Sequence, residues 1–151
     1  MSDIGLTWNA AAGAADFSIV ANDLATDDGL RTAVALSLFT DRLAGVGDVL
    51  PVGEADRRGW WADAVPVVPG DNFGSRFWLL SRSKQTPDVL SRAEEYAREA
   101  LQWLLDDKVS DKITAVAEFA TALAAEGITI TIRRPNNDSV SYRFNHTWEG
   151  V

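Results

Sequence analysis

Acid–base chemistry in this chain could draw on 22 aspartate and glutamate side chains and on one histidine, His146. A Ser-His-Asp site would have to use that histidine, and no serine stands in the GxSxG context of a nucleophile elbow. Glycoside hydrolysis needs two carboxylates at a set separation, which 22 acidic residues provide somewhere by chance. Adjacent acidic pairs, which helix caps and solvated faces explain more simply, are Asp27 with Asp28, Glu94 with Glu95 and Asp106 with Asp107. We therefore expect no catalytic site, with a glycan hydrolase as the alternative.

Cofactor and metal chemistry is restricted by the composition. The chain has no cysteine, which excludes thiolate catalysis and cysteine-based zinc sites, and one histidine cannot supply a site with two imidazoles. Gly45, Gly47 and Gly53 lack the spacing of a phosphate-binding loop and the Lys-Ser or Lys-Thr that follows it. We therefore expect neither a metal nor a cofactor.

Length and charge limit the class of protein further. With 151 residues, 46% of them hydrophobic, the chain suits one globular domain over residues 1–151. The net charge of −8 would repel a phosphate backbone, so nucleic acid is disfavoured as a partner. No apolar run approaches the ~20 residues that a membrane-spanning helix needs, and we expect no membrane contact.

The pentapeptide RRGWW is the most unusual short segment of the chain. Arg57, Arg58, Trp60 and Trp61 combine forked hydrogen-bond donors with large apolar rings around a glycine. Arginine and tryptophan are enriched at the hot spots of protein interfaces, so contact with a partner protein is the favoured interpretation. Packing within the domain is the second interpretation, and binding of single-stranded nucleic acid or glycan is the third.

Apolar periodicity predicts two main helices. Residues 26–28 can cap the first, and its core stripe is Leu30, Val34 and Leu38. The second begins with Thr86 as the cap and Pro87 at the first helical position, and continues through PDVLSRAEEYAREALQWLLDD. Its buried stripe, widened by Ala100 and Leu105, consists of Leu90, Ala93, Ala97, Leu101 and Leu104.

Residues 43–73, between the helices, are predicted to form a loop-rich insertion, because five glycines and three prolines interrupt the periodicity. A loop of this length is usually either functional or disordered. Apolar anchors argue against disorder and predict that the loop packs on the domain, namely Val49, Val52, Trp60, Trp61 and Phe73. Residues 74–84 form a short apolar piece whose helical or extended state the periodicity does not decide.

The last third of the chain indicates three antiparallel strands. They run from Ile113 to Ala120, from Ile128 to Arg134 after a Glu126-Gly127 turn, and from Val140 to Trp148. Alternating apolar residues place one face of this sheet against the helices. Two short apolar runs near the N-terminus add a loose hairpin. The predicted fold is therefore α+β, a small C-terminal antiparallel meander packed against two main helices with the loop-rich insertion between them.

Four blocks carry a resemblance to a known family. In chain order they are TDDGLRTAVALSLFTDR, RRGWW, GSRFWLLSRSK and AEEYAREALQWLLDDKV. With them the chain resembles the Mu-like bacteriophage baseplate protein family over residues 23–120. That family is similar to the small wedge protein of larger contractile-tailed phages and to the lysozyme-like wedge protein of type VI secretion systems.

The resemblance implies an α+β fold and a structural role in the baseplate wedge, without a cofactor. It implies binding to other wedge proteins, and to sheath and tail hub proteins, in sixfold array near the first sheath ring. It also implies a location in the virion tail baseplate after assembly in the host cytoplasm. A tail-associated peptidoglycan hydrolase with a carboxylate pair is the alternative activity.

Candidate partner-binding residues come from three parts of the chain. The RRGWW block supplies two arginines and two tryptophans, and Arg76 of the GSR block could clamp a carboxylate or act as an internal strut. The last strand could bind a partner by strand addition at its edge. The full candidate set is Arg57, Arg58, Trp60, Trp61, Arg76, Tyr142, Phe144 and Trp148.

Overall fold

The computed structural model describes residues 3–9, 11–27, 30–120 and 125–147. Within these ranges, antiparallel strands lie at both ends of the chain and α-helices lie between them. The N-terminal strands are β1 Asp3–Ile4, β2 Leu6–Asn9, β3 Ala14–Phe17, β4 Ile19–Val20, β5 Asp23–Leu24 and β6 Thr26–Asp27. The helices are α1 Arg31–Phe39, α2 Pro87–Ala100 and α3 Trp103–Asp106. The C-terminal strands are β7 Lys112–Ala120, β8 Ala125–Arg133 and β9 Ser139–Thr147.

The C-terminal sheet confirms the predicted meander. Its strands pair antiparallel in the order β7, β8, β9, and Ile128 lies opposite both Ala117 and Phe144. Alternate side chains of β8 are buried against the helices, and those between them lie on the other face. The sheet and helices share one core, whose fully buried side chains include Val34, Leu38, Leu101, Leu104, Ile130 and Ile132. The α+β fold class is therefore confirmed.

The predicted Glu126-Gly127 turn is wrong, because both residues lie inside β8. Gly127 is buried opposite Glu118 and Asn145, and a side chain there would come within 2.8 Å of the Arg143 guanidinium. This glycine leaves room for an arginine on the neighbouring strand. The connection between β7 and β8 falls in residues 121–124, which lie outside the described residues.

The predicted cap of α1 is also wrong for Thr26 and Asp27, whereas Asp28 lies outside the described residues. Thr26 and Asp27 are extended and pair with Ile4 and Asp3, so they belong to a β-ladder. The helix begins at Arg31, and Leu30 precedes it without a side-chain capping bond. Small polar residues are common both at helix caps and at the ends of strands. Pairing with β1 places these two residues in a strand. The core stripe is confirmed for Val34 and Leu38, whereas Leu30 is half-buried.

The second helix is shorter than predicted. Pro87 occupies its first turn as expected, but Thr86 makes no side-chain capping bond, and the helix ends at Ala100. The chain turns at Leu101 and resumes as α3, and the predicted stripe is buried except for the half-buried Leu90 and Leu105. Val89 and Tyr96, which were not predicted, are buried as well. Among the described residues, no helix combines the length and apolar character that crossing a membrane requires.

Residues 43–73 are irregular apart from one 3-10 turn, Trp61–Ala64, which agrees with the predicted insertion. Packing of its anchors is only partly as expected. Phe73 is half-buried, whereas Val49, Val52, Trp60 and Trp61 are exposed. Ala44 and Leu50 of the insertion pack in the adjoining core. The segment 74–84, left open by the sequence, contains a second 3-10 turn, Phe77–Leu80.

The N-terminal segment forms small hairpins. β2 pairs with β3 and β4 pairs with β5, while β6 returns to β1. A hairpin is therefore present as β2 and β3, but its second strand is Ala14–Phe17 and not the predicted apolar run from Phe17 to Val20, of which Ile19–Val20 pairs with β5. The two-residue turn between β4 and β5 has Ala21 and Asn22 at positive φ, the backbone of a tight hairpin turn.

Candidate functional site

Aromatic side chains from three distant segments line one cleft of about 780 Å³. We call it the aromatic cleft. Trp8 and Phe39 are called its first wall here, and Trp60 and Trp61 are called its second wall. Phe77 and Trp78 of the second 3-10 turn also line the cleft. The tertiary structure therefore brings residues of the RRGWW block and of the N-terminal hairpin to one cleft.

The first wall is joined to the sheet by ring contacts and one hydrogen bond. Trp8 stacks on Phe39 with ring centroids 4.0 Å apart and an interplanar angle of 5°. Phe39 in turn meets the edge of Phe144 at 5.7 Å, which ties this wall to the core of the sheet. The indole N–H of Trp8 donates to the backbone carbonyl of Asn145 in β9 at 3.0 Å. One side chain thus contributes to the cleft and also touches the edge of the sheet.

The second wall is built by a strained turn. Arg58 has φ +53° and Gly59 has φ +116°, and this reversal carries the two tryptophans out of the loop. Trp60 packs on Phe73 at 5.1 Å and on Trp61 at 5.8 Å. Trp60 is 39% exposed, whereas Trp61 is 82% exposed. Within the described residues, Trp61 is thus a large apolar ring presented to solvent beside a cleft.

Arg58 organises the polar groups of the cleft. Its guanidinium lies 4.7 Å from the centroid of the Trp78 ring. Its Nη1 lies 2.9 Å from Oδ2 of Asp41 and its Nη2 lies 3.6 Å from Oε1 of Glu54. Partly exposed ion pairs of this kind add little stability, but two carboxylates and a ring together orient the guanidinium.

Arg57, the other arginine of the block, acts as an internal strut. Its Nη2 donates to the carbonyl of Ala44 at 2.6 Å, and the Ala44 N–H donates to the Arg57 carbonyl at 3.0 Å. These two bonds fasten the base of the insertion. The side chain is half-buried and turned to the loop backbone.

Arg76 is also held by internal contacts. Its Nε donates to Glu99 and its Nη1 to Asp48, each at 2.9 Å, and its guanidinium lies 4.4 Å from the centroid of the Tyr96 ring. Burial acts to lower the pKa of Arg76, but hydrogen bonds and attraction from Glu99 and Asp48 outweigh it and raise that pKa. Burial also raises the pKa of Tyr96. The geometry therefore favours the strut interpretation of Arg76, because this side chain joins the insertion to α2.

The sheet candidates need correction. Tyr142 is 8% exposed and Phe144 is 2% exposed, so both side chains lie in the core. The reason is the alternation of β9, whose even-numbered residues face the helices. The Tyr142 hydroxyl oxygen accepts a hydrogen bond from the Leu30 N–H at 3.0 Å, which fixes the start of α1. Trp148 lies outside the described residues.

The two edges of the C-terminal sheet differ. On β7, the outward N–H of Ala117 donates to Glu94 of α2 at 3.1 Å, so the helix partly covers this edge. On β9, the Asn145 carbonyl accepts from Trp8 and therefore points away from β8. Because backbone groups alternate along an antiparallel strand, those of Ser141 and Arg143 point outward too. No hydrogen bond reaches these outward groups from the part of the chain that the structure describes.

Four of the described carboxylates make contacts with other groups of the chain. Glu94 accepts from the Ala117 N–H and Asp106 accepts from the Gln102 side chain at 3.0 Å. Asp41 and Glu54, which line the aromatic cleft, are both paired with Arg58. None of these is arranged as the unpaired acid and nucleophile of a glycosidase.

Sequence reasoning missed several residues of the aromatic cleft, namely Trp8, Phe39, Asp41, Glu54, Phe77 and Trp78. They come from separate segments, and no local pattern links them. One signal was present in the sequence: Glu54 and Arg58 carry opposite charges and stand four residues apart. They form an ion pair in the structure although the segment is not helical.

Comparisons with known proteins agree with the resemblance. The family model described as "Phage protein GP46" matches residues 30–139. The baseplate protein gp46 of Escherichia phage Mu is 41% identical over 153 residues, covering 100% of both chains. The Mu-like prophage FluMu protein gp46 of Haemophilus influenzae is 35% identical over 149 residues, covering 98% of both. The chain therefore belongs to the GP46 family of Mu-like phage baseplate proteins.

Proposed function

We propose that the chain is a wedge subunit that assembles the baseplate of a contractile tail and helps to initiate the sheath through protein–protein contacts. Its partners are other wedge proteins, the sheath and the tail hub, in six copies around the hub. It is made in the host cytoplasm and ends in the virion tail. Membership of a baseplate family supports this role.

The observation that carries the proposal is the open edge of β9. Outward N–H and C=O groups at Ser141 and Arg143 can pair with an extended segment of another subunit. Natural proteins cover or blunt such edges, and Glu94 of α2 does so at β7. An edge left open in a subunit of an assembly is a docking site for a strand.

The aromatic cleft is the second proposed contact. Interface hot spots are rich in tryptophan and arginine that lie in pockets, as Trp60, Trp61 and Arg58 do here. A partner segment entering the cleft would cover the Trp61 ring without any change in the core. The cleft thus suits a protein partner that brings apolar side chains.

Trp61→Ala tests that contact. We expect it to leave the free energy of unfolding within about 0.5 kcal/mol of wild type, because the ring is exposed. Binding to wedge proteins purified from cells lacking this gene should weaken by about 2 kcal/mol, measured by titration calorimetry. Val67→Ala, which changes a fully exposed apolar side chain of the insertion outside the cleft, is the control. Equal binding by both variants would remove the cleft from the interface.

The wedge role is tested by mass spectrometry of gradient-purified tails, with chemical cross-linking before digestion. We expect this chain in constant ratio to the other baseplate proteins, with cross-links to a wedge or sheath subunit. Complete tails that lack it would refute the role and would bring forward a peptidoglycan-clearing assay. We do not favour a hydrolase, because Asp41 and Glu54, the carboxylates that line the aromatic cleft, are both paired with Arg58.

A further inference from the structure

The N-terminal hairpin, β2 and β3, meets the open edge of β9 at one point. The Trp8 indole N–H occupies the outward carbonyl of Asn145, at the end of the edge that also carries Ser141 and Arg143. A strand that pairs with β9 over its full length would need this same carbonyl. Trp8 and an incoming strand are therefore competitors for one acceptor.

The hairpin is attached by contacts that can be exchanged. The hairpin and its turn, residues 6–17, contain no lysine or arginine, and neither residue type occurs before Arg31. The Leu6 N–H donates to Thr32 Oγ1 at 3.2 Å, and all four residues of β3 are exposed. Among the described side chains, no ion pair ties the hairpin to α1 or to the sheet. Elements with little buried surface open at low free-energy cost.

We propose that the hairpin is a latch that shortens the open edge of β9 until a partner strand displaces Trp8. This inference rests on the proposed function, strand addition at β9, and describes how that strand addition is regulated. With the latch in place, the edge offers the outward groups of Ser139, Ser141 and Arg143, and a ladder between two copies of the chain cannot extend through the Asn145 carbonyl. Displacement of Trp8 frees the Asn145 carbonyl, so that the incoming strand can pair with β9 through this residue as well.

The hairpin also forms one wall of the aromatic cleft, through Trp8 and the loop residues Ala11 to Gly13. A partner segment in the cleft would therefore touch the latch directly. Docking in the cleft and strand pairing at β9 would then both involve the hairpin, and this links the two contacts during assembly.

The test uses sedimentation velocity of the purified full chain between 10 and 100 µM as the probe of edge pairing, about the range in which weak pairing is seen. Trp8→Phe keeps an aromatic ring on Phe39 but removes the indole N–H. We expect it to raise self-association at least tenfold over wild type. Ser141→Pro, which removes an outward N–H of β9, should suppress that association when combined with Trp8→Phe. Phe17→Ala, in the same hairpin but exposed, is the control and should match wild type.

Three results would overturn the latch. If the Trp8→Phe protein is as monomeric as wild type, Trp8 does not limit pairing at the edge. If the double variant Trp8→Phe with Ser141→Pro still associates, the contact between copies lies elsewhere than β9. If the wild-type protein already associates through β9, Trp8 does not close the edge. None of these results decides the proposed function, which is tested separately by tail assembly in cells that carry Ser141→Pro alone.

Discussion

Gly74→Ala is expected to lower the free energy of unfolding by about 2 to 5 kcal/mol, measured by urea unfolding. Gly74 has φ +95°, a backbone conformation that residues with a side chain rarely adopt. A β-carbon there would lie 2.4 Å from the Thr40 carbonyl oxygen, which is backbone and cannot rotate away. The variant must therefore displace either the turn or the end of α1.

Several hydrogen bonds depend on that turn. The Ser75 N–H donates to the Thr40 carbonyl and the Arg42 N–H donates to the Ser75 carbonyl, each at 2.9 Å. The Ser75 hydroxyl donates to the Leu38 carbonyl, which is one of the acceptors that the end of α1 leaves unpaired. Arg76, the next residue, joins the insertion to α2. Disturbing Gly74 would therefore loosen the frame of the aromatic cleft.

Gly13→Ala is the matched control for this prediction. Gly13 also has positive φ, +59°, but nothing lies within 4 Å of a β-carbon built there. We expect a cost of about 1 kcal/mol from the backbone alone. If Gly74→Ala lowers the free energy of unfolding no more than Gly13→Ala does, the close approach to Thr40 does not destabilise the variant, and the proposed role of Gly74 in the turn is wrong.

Ser141→Pro is expected to reduce the number of sheathed tails at least tenfold in cells whose only copy of the gene carries it. Proline removes one N–H, and at Ser141 that N–H points out of the sheet, so no bond to β8 is lost. An incoming strand, however, would lose a donor and meet the proline ring. Electron microscopy and sheath content of purified tails measure the effect.

Ser141→Thr, which keeps the backbone N–H and suits a strand, should assemble as wild type. The melting temperature of purified Ser141→Pro separates an assembly defect from unfolding. A folded Ser141→Pro protein that supports normal tails would exclude strand addition at β9 and leave the aromatic cleft as the remaining proposed contact.

The sequence by itself determined the elements whose signals are local. Alternation of Ile128, Ile130 and Ile132 with polar residues has a period of two, and this predicted β8 and its buried face correctly. Pro87 and the apolar stripe that follows predicted α2, since a helix repeats every 3.6 residues. The four sequence blocks were enough to indicate the family that the comparisons show.

Only the tertiary structure decided which of these residues meet. Tyr142 and Phe144 became core, because β9 turns its even-numbered residues to the helices. Trp8 came to line the same cleft as Trp61 and to bind the Asn145 carbonyl, although these residues are more than 50 and more than 130 positions away in the chain. Local propensity acts over a few residues, whereas burial and hydrogen bonding select contacts between segments of any separation. The cleft and the partly covered edge of β9 arise from those contacts, which a local pattern cannot encode.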